Sequence, residues 1–224
     1  MAAEVDICNL ALAHLGDSAT VASISPPSGS AQSSHCARFY PIARDLMIDS
    51  HPWNFCTTRV ALAALTLPAA ITSWLYAYAV PTDVIDYLEV MDPAATDDYG
   101  IGIPQMNTYG IQVPNLGVYV PQPFVIETDV DGTEMLLTNQ QNAVLRYTHV
   151  VSDASKFPPL FVMALSRLLA SYLAGPLLKG EAGATEATRQ YKMWKEVDMP
   201  AAEGSDANNS RTRPPMGAPW ITNR

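Results

Sequence analysis

The chain has 224 residues and a formal charge of −9, with 13 Lys and Arg against 22 Asp and Glu. That length supports one large domain, or a core domain with an insertion, around a sizeable buried core. The acidic balance argues against a basic face that grips nucleic acid, and no Lys or Arg precedes Arg38, so the basic first segment of a targeting peptide is missing and synthesis in a cytoplasm is expected.

Asp6 to Leu15 carries Ile7, Leu10, Ala11, His14 and Leu15 at helical spacing, stopped by Gly16. The run SISPPSGSAQSS reads as a loop. Ala31 to Ile48 reads as a second helix with Cys36, Phe39, Tyr40, Ala43, Leu46 and Met47 inward, kinked where Pro41 removes a backbone donor. DSHPWNFCTTRVALAAL follows, with Trp53 and Phe55 as apolar anchors.

From Trp74 the texture becomes strand-like. WLYAYAVP, VIDYLEVMD, FVIETDVDGTEMLLT with its Val-Asp-Gly turn, and NAVLRYTHVV predict a β-rich region over residues 74–151. Helical periodicity returns at Pro158 and Pro159, with Phe161, Leu165, Leu168 and Tyr172 on one stripe and Ala170, Ser171, Ala174 and Gly175 open to a close neighbour. The run FPPLFVMALSRLLASYLAGPLL nearly has bilayer length, but Arg167 at its centre would cost about 2.5 to 3.5 kcal/mol there. It is therefore expected to be a buried helix of a soluble assembly, with no membrane partner. A last helix is predicted from Glu181 to Val197, with Ala187, Tyr191 and Trp194 on one face.

The expected fold class is α+β: a helical bundle formed by N- and C-terminal segments (residues 1–73 and 152–207), an inserted antiparallel β-domain (74–151), and an extended C-terminal arm (208–224). Within the β-domain, GIGIP, GIQVP and GVYVP repeat one pattern, and Tyr99 to Ile126 contains no Asp, Glu, Lys, Arg or His. Gly permits a bend before each piece, and Pro ends sheet pairing by lacking a donor. An apolar stretch of this size marks an interaction surface, which assigns Ile101, Ile103, Tyr109, Ile111, Val113, Val118 and Tyr119 to contacts with a neighbouring subunit or another protein.

Candidates for catalysis are sparse. His14, His35, His51 and His149 are dispersed, and His35 and Cys36 cannot share a helix face. Cys8, Cys36 and Cys56 form no CxxC pair and are expected to be reduced, buried thiols. Asp97 with Asp98, Asp129 with Asp131, and Glu127 with Glu134 are the clusters that could imitate a glycosidase pair, and they carry the alternative of a glycan hydrolase. No catalytic residue, metal or cofactor is assigned.

Five stretches, DICNLALAHLGD, ARFYPIARDLMIDSHPWNFCTTRVALA, WLYAYAVPTDVIDYLEV, FPPLFVMALSRLLASYLAGPLL and APWITNR, follow one another in the chain. Together they resemble the head-to-tail adaptors of short-tailed bacteriophages, the tail tubular protein A family, over nearly the whole length. HPWNF after a helix, YAYAVPTD, and the closing Trp-Ile-x-x-Arg are the most specific pieces. The resemblance implies a structural virion protein at the head-tail junction, a ring of twelve copies clamped between portal and tail nozzle. Genomic DNA would pass through its lumen without sequence-specific binding. It further implies that the helical part faces the portal and the β-domain the nozzle. Arg211, Arg213, Trp220, Ile221 and Arg224 would lie in a portal-docking tail, while Trp53, Phe55 and Trp74 would be core. The uncharged 99–126 insert departs from the family pattern, so its assignment to the nozzle or a sister subunit rests on its own composition. The tail has three arginines and no acidic residue, so the acidity belongs to the body, where it would repel DNA in the channel.

Overall fold

A computed structural model describes residues 2–18, 20–93 and 121–209. The fold is α+β, with two antiparallel sheets. The chain divides into two compact units, one made of residues 1–57 and 148–209 and the other centred on residues 58–147.

The first unit is helical. Helix α1 (Glu4–His14) begins where the Asp6 carboxylate accepts the Ala3 N–H at 2.8 Å. It ends at Gly16, whose φ of +75° lets the Gly16 and Asp17 amides turn back onto the Ala13 and Leu12 carbonyls. The following loop is fastened to α1 by the Asn9 side chain, which accepts from Val21 N at 2.7 Å and donates to Val21 O at 3.1 Å. Helix α2 (Ala31–Asp49) is capped by Ser30, whose hydroxyl accepts from Ser33 N, and runs as one helix through Pro41.

Helix α3 (Pro159–Leu178) starts on the Pro158–Pro159 pair, where a missing amide costs nothing. It is the centre of this unit. Phe161, Ala164, Leu165, Leu168, Leu169, Leu173 and Ala174 are buried, and α3 contacts α1 and α2 as well as α4 (Gly180–Met193) and α5 (Met199–Ala207). Between α4 and α5 the helix widens into one π-helical turn, Trp194–Asp198. Trp194 is buried there, and its indole N–H points at the Met47 sulfur at 3.1 Å.

Leu46, expected inward, is 39% exposed, and of the face that groups Tyr191 with Trp194 only Trp194 is buried, Tyr191 being 44% exposed. The buried face of α4 runs through Gly183, Gln190 and Trp194, and Tyr191 lies about 100° round the helix from Gln190. Hydrophobicity favours the tyrosine for the core, but Gln190 takes the buried place because its amide is fully used in hydrogen bonds, described below.

The second unit contains strands β1 (Thr57–Ala61), β2 (Ala64–Leu65), β3 (Tyr76–Ala79), β4 (Val84–Met91), β5 (Phe124–Thr128), β6 (Glu134–Thr138) and β7 (Val144–His149). They form sheets ordered β1-β7-β4 and β2-β3-β6-β5. Strand β6 is covered on both faces. Leu136 packs with Tyr78, Val90, Leu145 and Tyr147, whereas Met135 and Leu137 pack with Ala77 and with Leu67, Ile71 and Trp74. Residues 67–74 thus serve as the cover over one sheet face, and the strands begin at Thr57, well before the Trp74 at which alternation becomes visible in the sequence. The early segment is missed because β2 has two residues and a cover carries no period of its own. Gln122 N donates to Val90 O at 2.9 Å, so the two sides of residues 94–120 are joined at a β-bridge.

Helices α3 and α4 approach closely at Gly183, where an added Cβ would stand 3.0 Å from the Ala174 carbonyl oxygen, a backbone atom. Gly204 in α5 has nothing within 4 Å. Opposite signs are therefore expected for the same substitution. Gly204→Ala should stabilise by up to about 1 kcal/mol from helix propensity. Gly183→Ala should destabilise by about 1 kcal/mol, because crowding outweighs that gain. Urea unfolding of the two variants beside the parent chain measures both.

Candidate functional site

The residues that the sequence assigns to portal docking, Arg211, Arg213, Trp220, Ile221 and Arg224, lie outside the described residues. So do Ile101, Ile103, Tyr109, Ile111, Val113, Val118 and Tyr119 of the uncharged insert, and Asp97 and Asp98. What the structure describes is the base from which the C-terminal segment departs, and it is built by the HPWNF motif.

Trp53 is 1% exposed and donates its indole N–H to the Met47 carbonyl at 2.6 Å. Its ring meets Phe161 edge-on at 5.0 Å, and Phe55 and Phe157 each lie within 5 Å of the same Phe161 ring. With the tryptophan fixed, the next residue is aimed at α5. The Asn54 amide N–H reaches both Asp206 carboxylate oxygens at 3.1 and 3.2 Å. The Asn54 side-chain Nδ2 donates to the Asp206 carbonyl at 2.9 Å and to Oδ2 at 3.0 Å, and His51 Nε2 stands 3.5 Å from Oδ2. Asp206 is only 5% exposed, and a buried carboxylate is tolerated only with such donors. The last turn of α5 is thereby locked to the HPWNF turn, three residues before residue 209. The Cys56 thiol, buried near this carboxylate, is pushed up to about 12 by burial first and the Asp206 charge second, and stays protonated.

A second polar group of residues sits along α3. Arg167 donates through Nε to Asp198 at 3.0 Å and through a terminal nitrogen to Gln190 Oε1 at 3.0 Å. Gln190 Nε2 in turn donates to Glu186 and to the His14 carbonyl at 3.1 Å. His14 Nε2 is 3.1 Å from the Ser166 hydroxyl, which spends its proton on the Met163 carbonyl at 2.8 Å, so His14 is the donor in this pair. A serine beside a histidine resembles a nucleophile and its base, but Ser166 is fully buried and bonded to its own helix, so the pair ties α1 to α3. Sequence reasoning weighed Arg167 only as an obstacle to membrane insertion. An arginine within an apolar helix also demands a carboxylate partner, and Asp198 is that partner.

The remaining candidates do not converge. Asp129 and Gly132 form the turn of the β5–β6 hairpin, where Asp131 is exposed. Glu127 stands opposite Met135 and Thr128 opposite Glu134, so Glu127 and Glu134 point to opposite faces of the sheet and cannot flank one bond. His149 Nδ1 bonds the Cys56 carbonyl at 2.7 Å, and His35 stacks on Phe39. Cys8, Cys36 and Cys56 are free and buried, and the Cys8 thiol is raised by its hydrogen bond with Cys36 and by burial. Among the described residues no group of His, Cys, Asp or Glu is arranged to hold a metal ion. The chain matches no protein-family model and no curated protein.

Two outcomes follow from this geometry. Asp206→Ala should cost about 1 to 2 kcal/mol by removing the hydrogen bonds that its carboxylate accepts from Asn54, and a double-mutant cycle with Asn54→Ala in guanidinium unfolding should show coupling rather than additivity. His14 has its proton affinity lowered by burial and by Arg167, against an opposing pull from Asp198. The unfolded chain then binds a proton at His14 more readily than the fold does. Stability is present above the ordinary imidazole range and is lost as pH falls through the depressed value. Thermal melts from pH 7.5 downward should show that loss, and His14→Gln should flatten it.

Proposed function

We propose that the protein is a head-to-tail adaptor of a short-tailed bacteriophage, a structural ring component that joins portal to tail nozzle and forms part of the DNA channel, with no turnover. The observation that carries this reading is the Asn54–Asp206 clamp. It links HPWNF, the most specific piece of the resemblance, to the end of α5, where the arginine- and tryptophan-bearing C-terminal segment begins. A docking arm that holds a pressurised junction needs a base that does not unravel when pulled. A buried carboxylate saturated by donors from a residue 152 positions earlier provides one.

The division of labour in the chain agrees with this reading. The C-terminal segment supplies Arg and Trp, the residue types that dominate binding hot spots, while the acidic body would repel DNA and let it pass. In this proposal the helical unit faces the portal, the β-unit faces the nozzle, and the uncharged insert meets the nozzle or a sister subunit. The chain works in the virion after synthesis in the bacterial cytoplasm.

A chain ending at Asn209 keeps α5, Asp206 and the clamp. It should melt within about 2 °C of the full-length protein, since every helix and strand given above is retained. It should also lose binding to the portal protein of its own genome in a co-sedimentation assay. Unchanged docking by the truncated chain would sink the assignment of the tail.

A further inference from the structure

Among the described residues of the helical unit two exposed stripes stand out, and they differ in character. On α2, Arg38, Pro41, Ile42, Asp45, Leu46 and Asp49 follow helical spacing on the face opposite the core, with Ile42 56% exposed. On α4 and the turn after it, Thr185, Thr188, Arg189, Lys192, Met193 and Glu196 line an open depression. Asp45 is held by Arg44 and Arg189 by Glu186, each on its own helix. Arg38, Asp49, Glu181 and Lys192 are exposed and have no ion-pair partner among the described residues.

The charges run in opposite order along the two helices. On α2 the positive Arg38 comes first and the negative Asp49 last; on α4 the negative Glu181 comes first and the positive Lys192 last. Both pairs are separated by about three helical turns, near 16 Å of rise. We propose that these stripes are the two halves of one contact between copies of the chain, with α2 of one copy lying parallel in the α4 depression of the next. Arg38 then meets Glu181, and Asp49 meets Lys192. Antiparallel packing would set like charges against each other at both ends. Between the charged ends, Ile42 enters beside the small Thr185 and Thr188, and Leu46 covers the aliphatic stems of Arg189 and Lys192. The chain's own C-terminal segment, with three arginines and no acid, is a poorer occupant of a depression whose lining includes Arg189 and Lys192. Because the two stripes are different surfaces, the contact is head-to-tail and propagates from copy to copy into a ring or an open filament. This inference rests on the ring proposed above and names the surfaces that would build it.

Disulfide trapping between full-length variants tests it, since the native cysteines are buried. Chains carrying I42C and chains carrying T188C, mixed under mild oxidation, should give a covalent dimer on a non-reducing gel, and neither variant alone should match its yield. Adding Asp49→Lys to the first chain should slow trapping about threefold, as expected for exposed charge pairs, and adding Lys192→Asp to the second should restore it. Absence of the mixed dimer, or trapping indifferent to both reversals, overturns the contact. A lysine crosslinker applied to the parent chain bound to its portal separates the two levels. Copy-to-copy products without the disulfide reject these surfaces and leave the ring, and no copy-to-copy products reject both.

Discussion

The helical unit depends on one constraint, the removal of α3 from water. This 20-residue helix has a mean hydropathy of 1.5 and little polar surface to offer on any side. One neighbouring helix could hide a stripe of it, but its buried residues occur all round, so several helices have to converge. The N-terminal segment supplies α1 and α2, and the C-terminal segment supplies α4, the π-helical turn and α5. The helices before and after the strands are thus committed to the same core, and the strands between them form a separate unit.

Enclosing a helix that also carries Arg167 raises a second requirement. Its guanidinium is satisfied by Asp198 and Gln190, and the same amide of Gln190 reaches back to α1. Removing Arg167 would leave the acceptor oxygen of the buried Gln190 without its donor, the costly case for interior polar groups. The clamp at Asp206 follows the same logic at the other end of the unit. Trp53 is held by packing and by the Met47 carbonyl, and Asn54 is aimed by its neighbour's rigidity. Apolar packing sets the positions of the elements, while the two polar networks fix how α1, α4 and α5 are registered on α3.

The β-unit meets the same need differently. Strand β6 is buried on both faces, so a second sheet covers one side and an irregular segment, residues 67–74, contributes cover on the other. Its hairpin tip is left with exposed carboxylates, which is the ordinary use of Asp and Gly in a turn.

By itself the sequence determined the elements whose signals are local: the periodicity of α1, α2 and α3, the proline start of α3, the alternation of β3 to β7, and the turn at Gly132. It also marked Trp53 and Phe55 as anchors, because large aromatic residues between two elements have few other places to go. Only the tertiary structure decided that Asn54 meets Asp206, that Arg167 meets Asp198, that Gln190 displaces Tyr191 from the core, and that residues before Trp74 belong with the strands. Periodicity follows from backbone geometry a few residues at a time. Pairing between groups far apart in sequence depends on which faces α3 and β6 bring together, and no local pattern records that.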